Sequence, residues 1–430
     1  MNSFKSIPGT FDILPDEYTS GGDTVASVRV WRQLEETVRD IMARYGAEEI
    51  RTPILEPTEL IARGIGALTD IVTKEMFAFE RGSTHYVMRP EVTAPVMRAY
   101  LQHNLQQRGG TQRLFYIGPC FRAERPQKGR YRQFHQFGLE LIGSEDARAD
   151  AETITSLRDI LEATGLKQYT LRLNSLGDEN SRPAFKQALI DYLMPMADQL
   201  TEVSRKRLET NPLRILDTKI EAERALLADA PKLSDFIDEE SKEHHEAVKE
   251  LLASAGLAYV EDPFLVRGLD YYSRTAFEFE SPMLGAQSSL AGGGRYDLLS
   301  QEVGSKQVVP AVGFAAGMER ILLACAAEGV EAPAESRVDI FIVALGDDAA
   351  AWAFAEASRL REQGFKVAYD LKGRSMKAQM REANRQRSRF VSIVGDQELA
   401  DGVVQLKDMD AGTQDAVAPD QVPTVVRSRS

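Results

Sequence analysis

The sequence is poor in cysteine and has no long apolar run. Two cysteines, Cys120 and Cys325, are too few among 430 residues for a disulfide framework or a Cys-rich zinc site. No stretch approaches the roughly 18 apolar residues that a membrane span needs, and residues 1–17 lack the apolar core of a signal peptide. These absences predict a cytoplasmic protein with no membrane segment, and no side-chain cluster has the spacing of a transition-metal site.

An excess of positive charge is absent as well. The chain has 52 Lys and Arg against 65 Asp and Glu, which gives a net charge of -13. A protein of this charge does not coat nucleic acid or membranes by bulk attraction, so any contact with nucleic acid requires a local basic surface. The length predicts about two or three domains.

Positive charge is nevertheless concentrated between residues 121 and 140, which contain four arginines and a lysine. Two strand-like runs flank a proline and a glycine, a pattern typical of a long hairpin. The period of two places Arg122, Gln136 and Glu140 on one face, where Gly118 and Gly138 leave room. We interpret this face as the floor of a substrate site. The alternative is a solvated edge hairpin with cross-strand ion pairs.

Three further segments contain candidate binding residues. Glu91 and Thr93 lie two residues apart in an extended turn and could hold an ammonium group, although Thr93 could instead cap the helix predicted at 96–105. In the segment 265–275, the residues alone suggest a surface arginine, Arg267, followed by two core tyrosines. The triple glycine at 292–294 lacks the spacing of a dinucleotide-binding or P-loop motif. It permits either close approach of a flat ligand such as adenine or a flexible turn.

Arg320 falls in the first turn of a helix predicted to begin near Gly317. A cation is disfavoured at a helix N-terminus by about 0.3–1 kcal/mol, so this position indicates either a bound anion or pairing with Glu319. A second basic group, later in the chain, recurs every three or four residues as a helix stripe, which favours either RNA binding or an ordinary solvated face. Its members are Arg374, Lys377, Arg381 and Arg385. The histidines His244 and His245 are predicted to be solvated, and His135 to be structural.

Several segments show regular periodicity. An amphipathic helix is predicted at 31–45, followed by a strand at 48–55. Charge-rich helices are predicted at 181–194, 202–209, 219–227 and 240–252. A linker at 333–336 precedes alternating strands and helices, which predict a separate α/β domain.

Together these segments resemble the motifs of class II aminoacyl-tRNA synthetases, in the form found in histidyl-tRNA synthetases. Residues 121–140 resemble motif 2, residues 31–55 motif 1, and residues 310–323 motif 3. Residues 265–275 resemble a signature of the histidyl enzymes. The resemblance covers nearly the whole chain and is most specific at 121–140 and 265–275.

The resemblance implies a role for each matching residue. The implied catalytic residues are Arg122 and Arg267, whose guanidinium groups would offset the repulsion between a carboxylate and the α-phosphate. Glu140 and Tyr272 would pair with the imidazole nitrogens of histidine. The implied histidine site consists of Glu91, Thr93, Gln136, Glu140, Arg267, Tyr271 and Tyr272. The implied ATP site consists of Arg122, Glu124, Arg130 and Arg320.

The same resemblance implies the architecture. It consists of an α+β catalytic core at 1–176 and 256–332, with a mixed, largely antiparallel sheet of the class II synthetase type. A helical insertion at 177–255 and a C-terminal α/β anticodon-binding domain at 337–430 would complete it. The insertion would contact the tRNA acceptor arm, so its deletion is expected to impair charging and spare adenylate formation. Motif 1 implies a homodimer.

The implied reaction joins L-histidine and ATP to histidyl-adenylate and pyrophosphate, and then transfers histidine to the 3′ end of tRNA-His. Magnesium would enter with ATP, held mainly through its phosphates. One rival is a non-catalytic paralogue, such as a regulatory subunit of ATP phosphoribosyltransferase, which would lack the catalytic arginines and the C-terminal domain. Another is a related ligase for a different small acid, which would have replaced Glu91, Glu140 and Tyr272. The sequence retains all of these features.

Overall fold

The computed structural model describes residues 4–15, 24–66, 69–178, 180–216, 218, 220–266, 269, 271–332 and 337–429. The chain divides into two compact units, Met1–Pro333 and Ala334–Ser430. In the described residues, no helix is both long and apolar enough to cross a membrane.

The secondary structure of the first unit is mixed. Its α-helices are α1 Val28–Arg44, α2 Thr58–Ile65, α3 Thr93–Gln102, α4 Ala147–Ala163, α5 Ser181–Leu193, α6 Glu202–Thr210, α7 Glu221–Leu227, α8 Glu239–Ser254, α9 Leu299–Glu302 and α10 Met318–Glu328. Its strands are β1 Glu48–Glu49, β2 Leu55–Pro57, β3 Phe77–Arg81, β4 Thr84–Met88, β5 Gln112–Phe121, β6 Gln133–Ile142, β7 Thr170–Ser175, β8 Val260–Glu261, β9 Ser273–Glu280, β10 Ser289–Arg295 and β11 Ala311–Gly317.

An eight-stranded sheet forms the centre of the described part of this unit. The strand order is β1-β5-β6-β11-β10-β9-β7-β8. The inner pairs are antiparallel, and only the two edge pairs of this sheet, β1–β5 and β7–β8, are parallel. The prediction of a mixed, largely antiparallel sheet is therefore confirmed. The register of the predicted hairpin places Gly118 opposite Gln136 and Leu114 opposite Glu140.

Helices cover both faces of this sheet because its strands expose apolar side chains on both sides. On one face, α1, α4, α8 and α10 pack against residues such as Phe137 and Phe279. On the other face, α3 and the helices α5 to α7 share one hydrophobic cluster with Tyr116, Tyr271 and Tyr272. The helices between 177 and 255 thus contribute to the hydrophobic clusters on both faces of this sheet.

The strand predicted at 48–55 is wrong as a single element. Glu48–Glu49 pairs with β5, whereas Leu55–Pro57 pairs with β4 in a separate three-stranded sheet. The intervening backbone turns toward the buried guanidinium of Arg89, which donates to the carbonyl oxygens of Thr52 at 2.9 Å and Pro53 at 3.4 Å. Those carbonyls are occupied by a side chain, so they do not continue a strand ladder.

The prediction of solvated histidines in α8 is also wrong. The side chains of His244 and His245 are only 8% and 13% exposed. The Nε2 of His244 lies 3.3 Å from Oδ1 of Asp150, which is itself fully buried. The acidic neighbours in the sequence suggested exposure, but α8 turns this face toward α4.

The second unit is an α/β domain, as predicted. Its strands are β12 Ile340–Ala344, β13 Val367–Tyr369, β14 Phe390–Val394, β15 Val404–Asp408 and β16 Gln414–Val417, and its α-helices are α11 Asp347–Glu362, α12 Met376–Arg385, α13 Asp396–Asp401 and α14 Val422–Ser428. The order is β13-β12-β14-β15-β16, with parallel pairing around β12 and antiparallel pairing thereafter. Apolar clusters lie on both faces of the sheet.

Candidate active site

A cavity of about 490 Å³ opens over the central strands of the first unit. Its wall draws on β6, β10, β11, the hairpin loop after β5 and the start of α3, and it includes most of the predicted site residues. The predicted residues that line it are Glu91, Thr93, Arg122, Glu124, Arg130, Gln136, Tyr271, Tyr272 and Arg320.

Glu91 occupies the N-terminal end of α3. Its carboxylate accepts hydrogen bonds from the backbone N–H groups of Thr93 at 2.7 Å and Ala94 at 3.1 Å. The alternative in which Thr93 caps the helix is therefore wrong, since α3 begins at Thr93 and the capping oxygens belong to Glu91. Burial raises the pKa of Glu91 to about 7, although the two N–H donors act to lower it.

Glu140, on strand β6, is fully buried. Its carboxylate accepts a hydrogen bond from Oγ1 of Thr93 at 2.7 Å and another from the hydroxyl of Tyr296. Burial raises its pKa to about 8, against the effect of both hydroxyl donors. Among the described residues, the cavity wall does not include Glu140, so its link to the cavity runs through Thr93.

Three tyrosines surround these carboxylates. Tyr271 and Tyr272 are buried, and their ring centroids are 4.6 Å apart; Tyr271 also lies 5.6 Å from the ring of Tyr296. Burial raises the pKa of Tyr271 and of Tyr296 well above the usual value. The two residues of the sequence motif are therefore both core and cavity wall, because this part of the core borders the cavity.

The interpretation of Gly118 and Gly138 as room for a substrate is corrected. A Cβ atom at Gly118 would lie 2.6 Å from Nη2 of Arg89, and one at Gly138 would lie 2.4 Å from the hydroxyl of Tyr116. The space above both glycines is filled by the protein itself. Gln136 lies on the same strand face and was predicted to contact the substrate. It does line the cavity, and its Oε1 lies 3.4 Å from the thiol of Cys120.

Arginines form the other end of the cavity. Arg122 follows β5, donates from Nε to the carbonyl of Pro90 at 3.0 Å, and lies 5.1 Å from the ring centroid of Phe134. Glu124 lies between two cations, 3.9 Å from Nη1 of Arg122 and 3.1 Å from Nε of Arg130. The backbone and the aromatic ring fix the guanidinium of Arg122 at the cavity wall.

Arg320 lies in the first turn of α10, as predicted. It donates to the carbonyls of Gly129 at 3.0 Å and Ser289 at 2.9 Å. Its predicted alternative partner, Glu319, instead accepts the backbone N–H of His135 at 2.9 Å and lies 3.0 Å from its Nδ1. Burial, with Arg130 and Arg122 nearby, lowers the pKa of Arg320. The pairing with Glu319 is therefore wrong, and the cationic cluster is suited to an anion.

The glycine-rich segment forms strand β10, so its interpretation as a flexible turn is wrong. Ser289 to Gly292 line the cavity. A Cβ atom at Gly293 would lie 2.2 Å from the carbonyl of Gly313 on the adjacent strand. Packing between strands is therefore one reason for a glycine at that position, while Gly292 offers bare backbone to the cavity.

The predicted catalytic residue Arg267 lies outside the described residues. The described residues around it, Val266, Leu269, Tyr271 and Tyr272, all line the cavity.

Sequence reasoning missed four residues. Tyr296 reaches Glu140 across 156 positions, and its position beside the triple glycine was the one available signal. Glu319 was considered only as a partner for Arg320. Arg207 and Arg214 come from the charge-rich helical segment and line the cavity, although nothing in their sequence context indicates it.

In the second unit, the structure divides the predicted basic stripe. Arg374 precedes α12 and lies 2.5 Å from Oδ1 of Asp370, and Arg385 pairs with Glu382. Lys377 and Arg381 are exposed. These two side chains remain the best candidates for an RNA contact on this helix.

The cavity thus joins two kinds of site. Buried carboxylates and tyrosines suit a small ligand with an ammonium group and a polar ring, and the arginine cluster suits phosphates. Among the described residues, no group of three or more acidic, histidine or cysteine side chains could hold a metal ion. Such a site on an antiparallel sheet flanked by helices, in a chain with a separate C-terminal α/β domain, is that of a class II aminoacyl-tRNA synthetase.

Comparisons with known proteins define the family. Residues 25–321 match the family model described as histidyl-tRNA synthetase, and residues 339–429 match an anticodon binding domain. The histidine--tRNA ligase of Chloroherpeton thalassium is 50% identical over 96% of this chain and 95% of that protein. The histidine--tRNA ligase of Synechococcus sp. strain JA-3-3Ab is 47% identical over 96% of each chain.

A solved structure agrees with the family models and with these relatives. The apo histidyl-tRNA synthetase of S. aureus superposes with a TM-score of 0.81 at 36% identity, covering 99% of this chain and all of that one. The chain belongs to the histidyl-tRNA synthetase family, and its activity is that of a histidine--tRNA ligase. Charging in this family proceeds in two steps.

Proposed function

We propose that the cavity over β6, β10 and β11 is where L-histidine reacts with ATP. The observation that carries this assignment is the presence, in one cavity, of a buried carboxylate end and an arginine end. A histidine carboxylate lying between them would be adjacent to the α-phosphate of ATP. The product would be histidyl-adenylate, whose acyl group then passes to the 3′ end of tRNA-His.

The carboxylate end is assigned to histidine. Glu91, with Thr93, would bind the α-ammonium group, and its ionised form is the one that pairs with a cation. Gln136 would contact the bound amino acid, and Tyr271 would line the pocket. Glu140 and Tyr272 are assigned to the imidazole nitrogens. For Glu140 this contact requires a shift of Thr93 or entry of the ring beside it, since Thr93 now occupies one oxygen.

The arginine end is assigned to ATP. Arg122 would hold the α-phosphate, with Glu124 and Arg130 nearby, and Arg320 would contact the γ-phosphate. Arg267 is assigned to the substrate carboxylate and the α-phosphate by its position in the 265–275 motif. These cations would stabilise the charge that builds up as the carboxylate oxygen attacks phosphorus and pyrophosphate leaves.

No protein nucleophile enters this scheme. The attacking atom is the carboxylate oxygen of histidine, and the bond that breaks joins the α- and β-phosphates of ATP. In the second step a hydroxyl at the tRNA 3′ end attacks the acyl carbon, and AMP leaves. The protein contributes orientation and fixed charges, which supply most of the catalysis in reactions of this class.

Magnesium is assigned to the ATP phosphates. The acidic side chains in the arginine end, such as Glu124, are already flanked by guanidinium groups. We therefore expect the ion to arrive with ATP and to be held mainly by phosphate oxygens.

Recognition of tRNA is divided between two regions in this proposal. The C-terminal unit would bind the anticodon, with Lys377 and Arg381 as exposed contacts and Arg374 and Arg385 held by carboxylates. The helices between 177 and 255 are assigned to the acceptor arm. An editing domain is not needed, because a buried polar pocket that leaves groups unpaired with a wrong substrate discriminates by about 10⁴–10⁵.

The assembly is proposed to be a cytoplasmic homodimer. The motif 1 resemblance supports a dimer, and so do the exposed apolar side chains Ile54, Leu55 and Phe79 near the three-stranded sheet. Both cysteines are free thiols, in keeping with a reducing compartment. Light scattering of the purified protein at micromolar concentration tests the dimer.

The decisive experiment is histidine-dependent exchange of pyrophosphate into ATP. L-Histidine is expected to support exchange without tRNA, and the other amino acids are expected not to. Exchange with another amino acid, or none with histidine, would contradict the substrate assignment.

A further inference from the structure

Two arginines in the cavity wall belong to the inserted helices. Arg207 lies on α6, and Arg214 lies in the 3₁₀ turn Pro212–Ile215 that follows. The sequence analysis assigned this segment to contacts with the tRNA acceptor arm. The structure places part of it at the reaction cavity itself.

The helix that carries Arg207 is firmly anchored. Thr201 caps α6, and Glu223 accepts the N–H of Thr201 at 2.8 Å and the hydroxyl of Ser204 at 2.9 Å. Leu208, the next residue after Arg207, is buried in the cluster shared with the catalytic sheet. Arg207 is therefore presented to the cavity by a fixed element rather than by a loose surface helix.

The two arginines differ in how their charge is compensated. Arg214 pairs with Asp70, another residue of the cavity wall. Arg207 donates from Nη1 to the carbonyl of Arg214 at 3.2 Å, and no carboxylate of the described residues forms an ion pair with it. A guanidinium has five N–H donors, so one carbonyl leaves most of them available at the cavity.

We propose that Arg207 is a phosphate ligand of the active site, contributed by the inserted helices. Arginine suits this role because its planar donors match two phosphate oxygens at once. The phosphate belongs either to ATP and the departing pyrophosphate or to the last nucleotides of the tRNA acceptor end. The proposal rests on the assignment of the cavity to histidyl-adenylate formation, and it makes the insertion a part of that site.

This changes what deletion of residues 177–255 would report. The deletion would remove Arg207 and would also expose the apolar cluster that α5 to α7 share with the catalytic sheet. Loss of both reaction steps would then follow from unfolding, whatever the role of the insertion. Single substitutions on α6 are the sharper test.

The test compares Arg207→Gln, Arg207→Lys and a matched control, Arg205→Gln. Arg205 lies on the same helix but is exposed and outside the cavity wall. Its replacement by glutamine makes the same change in net charge without changing the cavity. In the first arm, pyrophosphate exchange without tRNA gives the KM for ATP and for pyrophosphate. In the second, transfer of histidine from preformed adenylate gives the KM for tRNA and its dependence on salt.

Loss of a charged hydrogen bond to phosphate is expected to raise one of these constants by about tenfold in Arg207→Gln. A rise in the first arm assigns the phosphate to ATP or pyrophosphate. A rise confined to the second arm, with a salt slope reduced by about one, assigns it to tRNA. In either case the constants of Arg207→Lys are expected to lie closer to those of the unmodified protein, since lysine retains the charge. The constants of Arg205→Gln are expected to equal those of the unmodified protein.

Two outcomes would overturn the proposal. One is that Arg207→Gln equals Arg205→Gln in both arms. The other is that the Gln and Lys variants lose activity equally and also melt at a lower temperature, as expected if Arg207 only ties α6 to the following turn. Absence of histidine-dependent exchange in the unmodified protein would instead refute the assignment of the cavity, and so the two failures are distinct.

Discussion

The two ends of the cavity hold charge in opposite ways. At the carboxylate end, Glu91 and Glu140 are removed from water, and burial raises the pKa of each well above its usual value. At the arginine end, Arg122 and Arg130 remain partly exposed and are compensated incompletely by Glu124. The buried end gains selectivity because an unsatisfied polar group there is costly. The open end gains attraction for phosphates.

The largest effect is expected at the arginine end. Replacing Arg122 with alanine should lower the rate of adenylate formation by at least about 10²-fold, the scale for losing one transition-state donor. Pyrophosphate exchange measures it. Lys128→Ala, on the exposed loop of the same hairpin, is the control and should leave the rate unchanged. A near-normal rate in Arg122→Ala would remove the arginine end from the chemistry.

The next effect concerns the opposite end. Glu140→Gln preserves volume and removes the charge, so it should raise the KM for histidine by about tenfold while changing the KM for ATP by less than about twofold. The measurement belongs at pH 8.5, above the pKa of about 8 that burial gives Glu140. An equal change in both constants would show that the two ends do not act separately.

A smaller effect follows from the ionisation of Glu91. Its pKa of about 7 means that it gains a proton below that pH and no longer attracts an ammonium group. Protonation of Glu91 alone should therefore raise the KM for histidine about fourfold from pH 8.5 to 6.5, as its ionised fraction falls. Glu91→Gln should remove this contribution and leave that of Glu140, whose pKa of about 8 lies in the same pH range. The pH profile of exchange, fitted separately for histidine and ATP, provides the test.

The same raised pKa values affect folding. The folded protein binds protons at Glu91 and Glu140 that the unfolded chain has already released, between about pH 4.5 and their folded values. These two groups should therefore make the empty protein less stable as pH rises through that window.

The smallest effect is expected outside the cavity, in the C-terminal unit, and it tests whether adenylate formation depends on the cavity alone. Lys377→Ala combined with Arg381→Ala should raise the KM for tRNA by a few fold at moderate salt, since the loss of a phosphate contact weakens binding whatever the nucleotide sequence. Pyrophosphate exchange without tRNA should be unaffected. The matched variant Arg385→Ala should change the KM for tRNA less, because Glu382 already pairs with that guanidinium. A loss of exchange in the double variant would mean that these residues act on folding.

Much of the site was predictable because its signals are local. Alternation along the hairpin put Arg122, Gln136 and Glu140 on one face, and the register of the structure agrees for Gln136 and Glu140. Arg122 follows the end of β5 and lines the cavity. The prediction of a helix beginning near Gly317 placed Arg320 correctly. Local pattern failed where long-range packing fills space, as at Gly138, whose free side is occupied by the hydroxyl of Tyr116.

The sequence by itself determined the separate C-terminal α/β domain, the alternation of strands and helices within it and the chemical type of the main site residues. Periodicity and the motifs encode these over a few residues. Only the tertiary structure decided that Tyr296 supports Glu140, that His244 is buried, and that Arg207 reaches the cavity. Each of these depends on burial and on partners far away in the chain, which arise when packed helices and strands exclude water, and a local pattern carries no record of them.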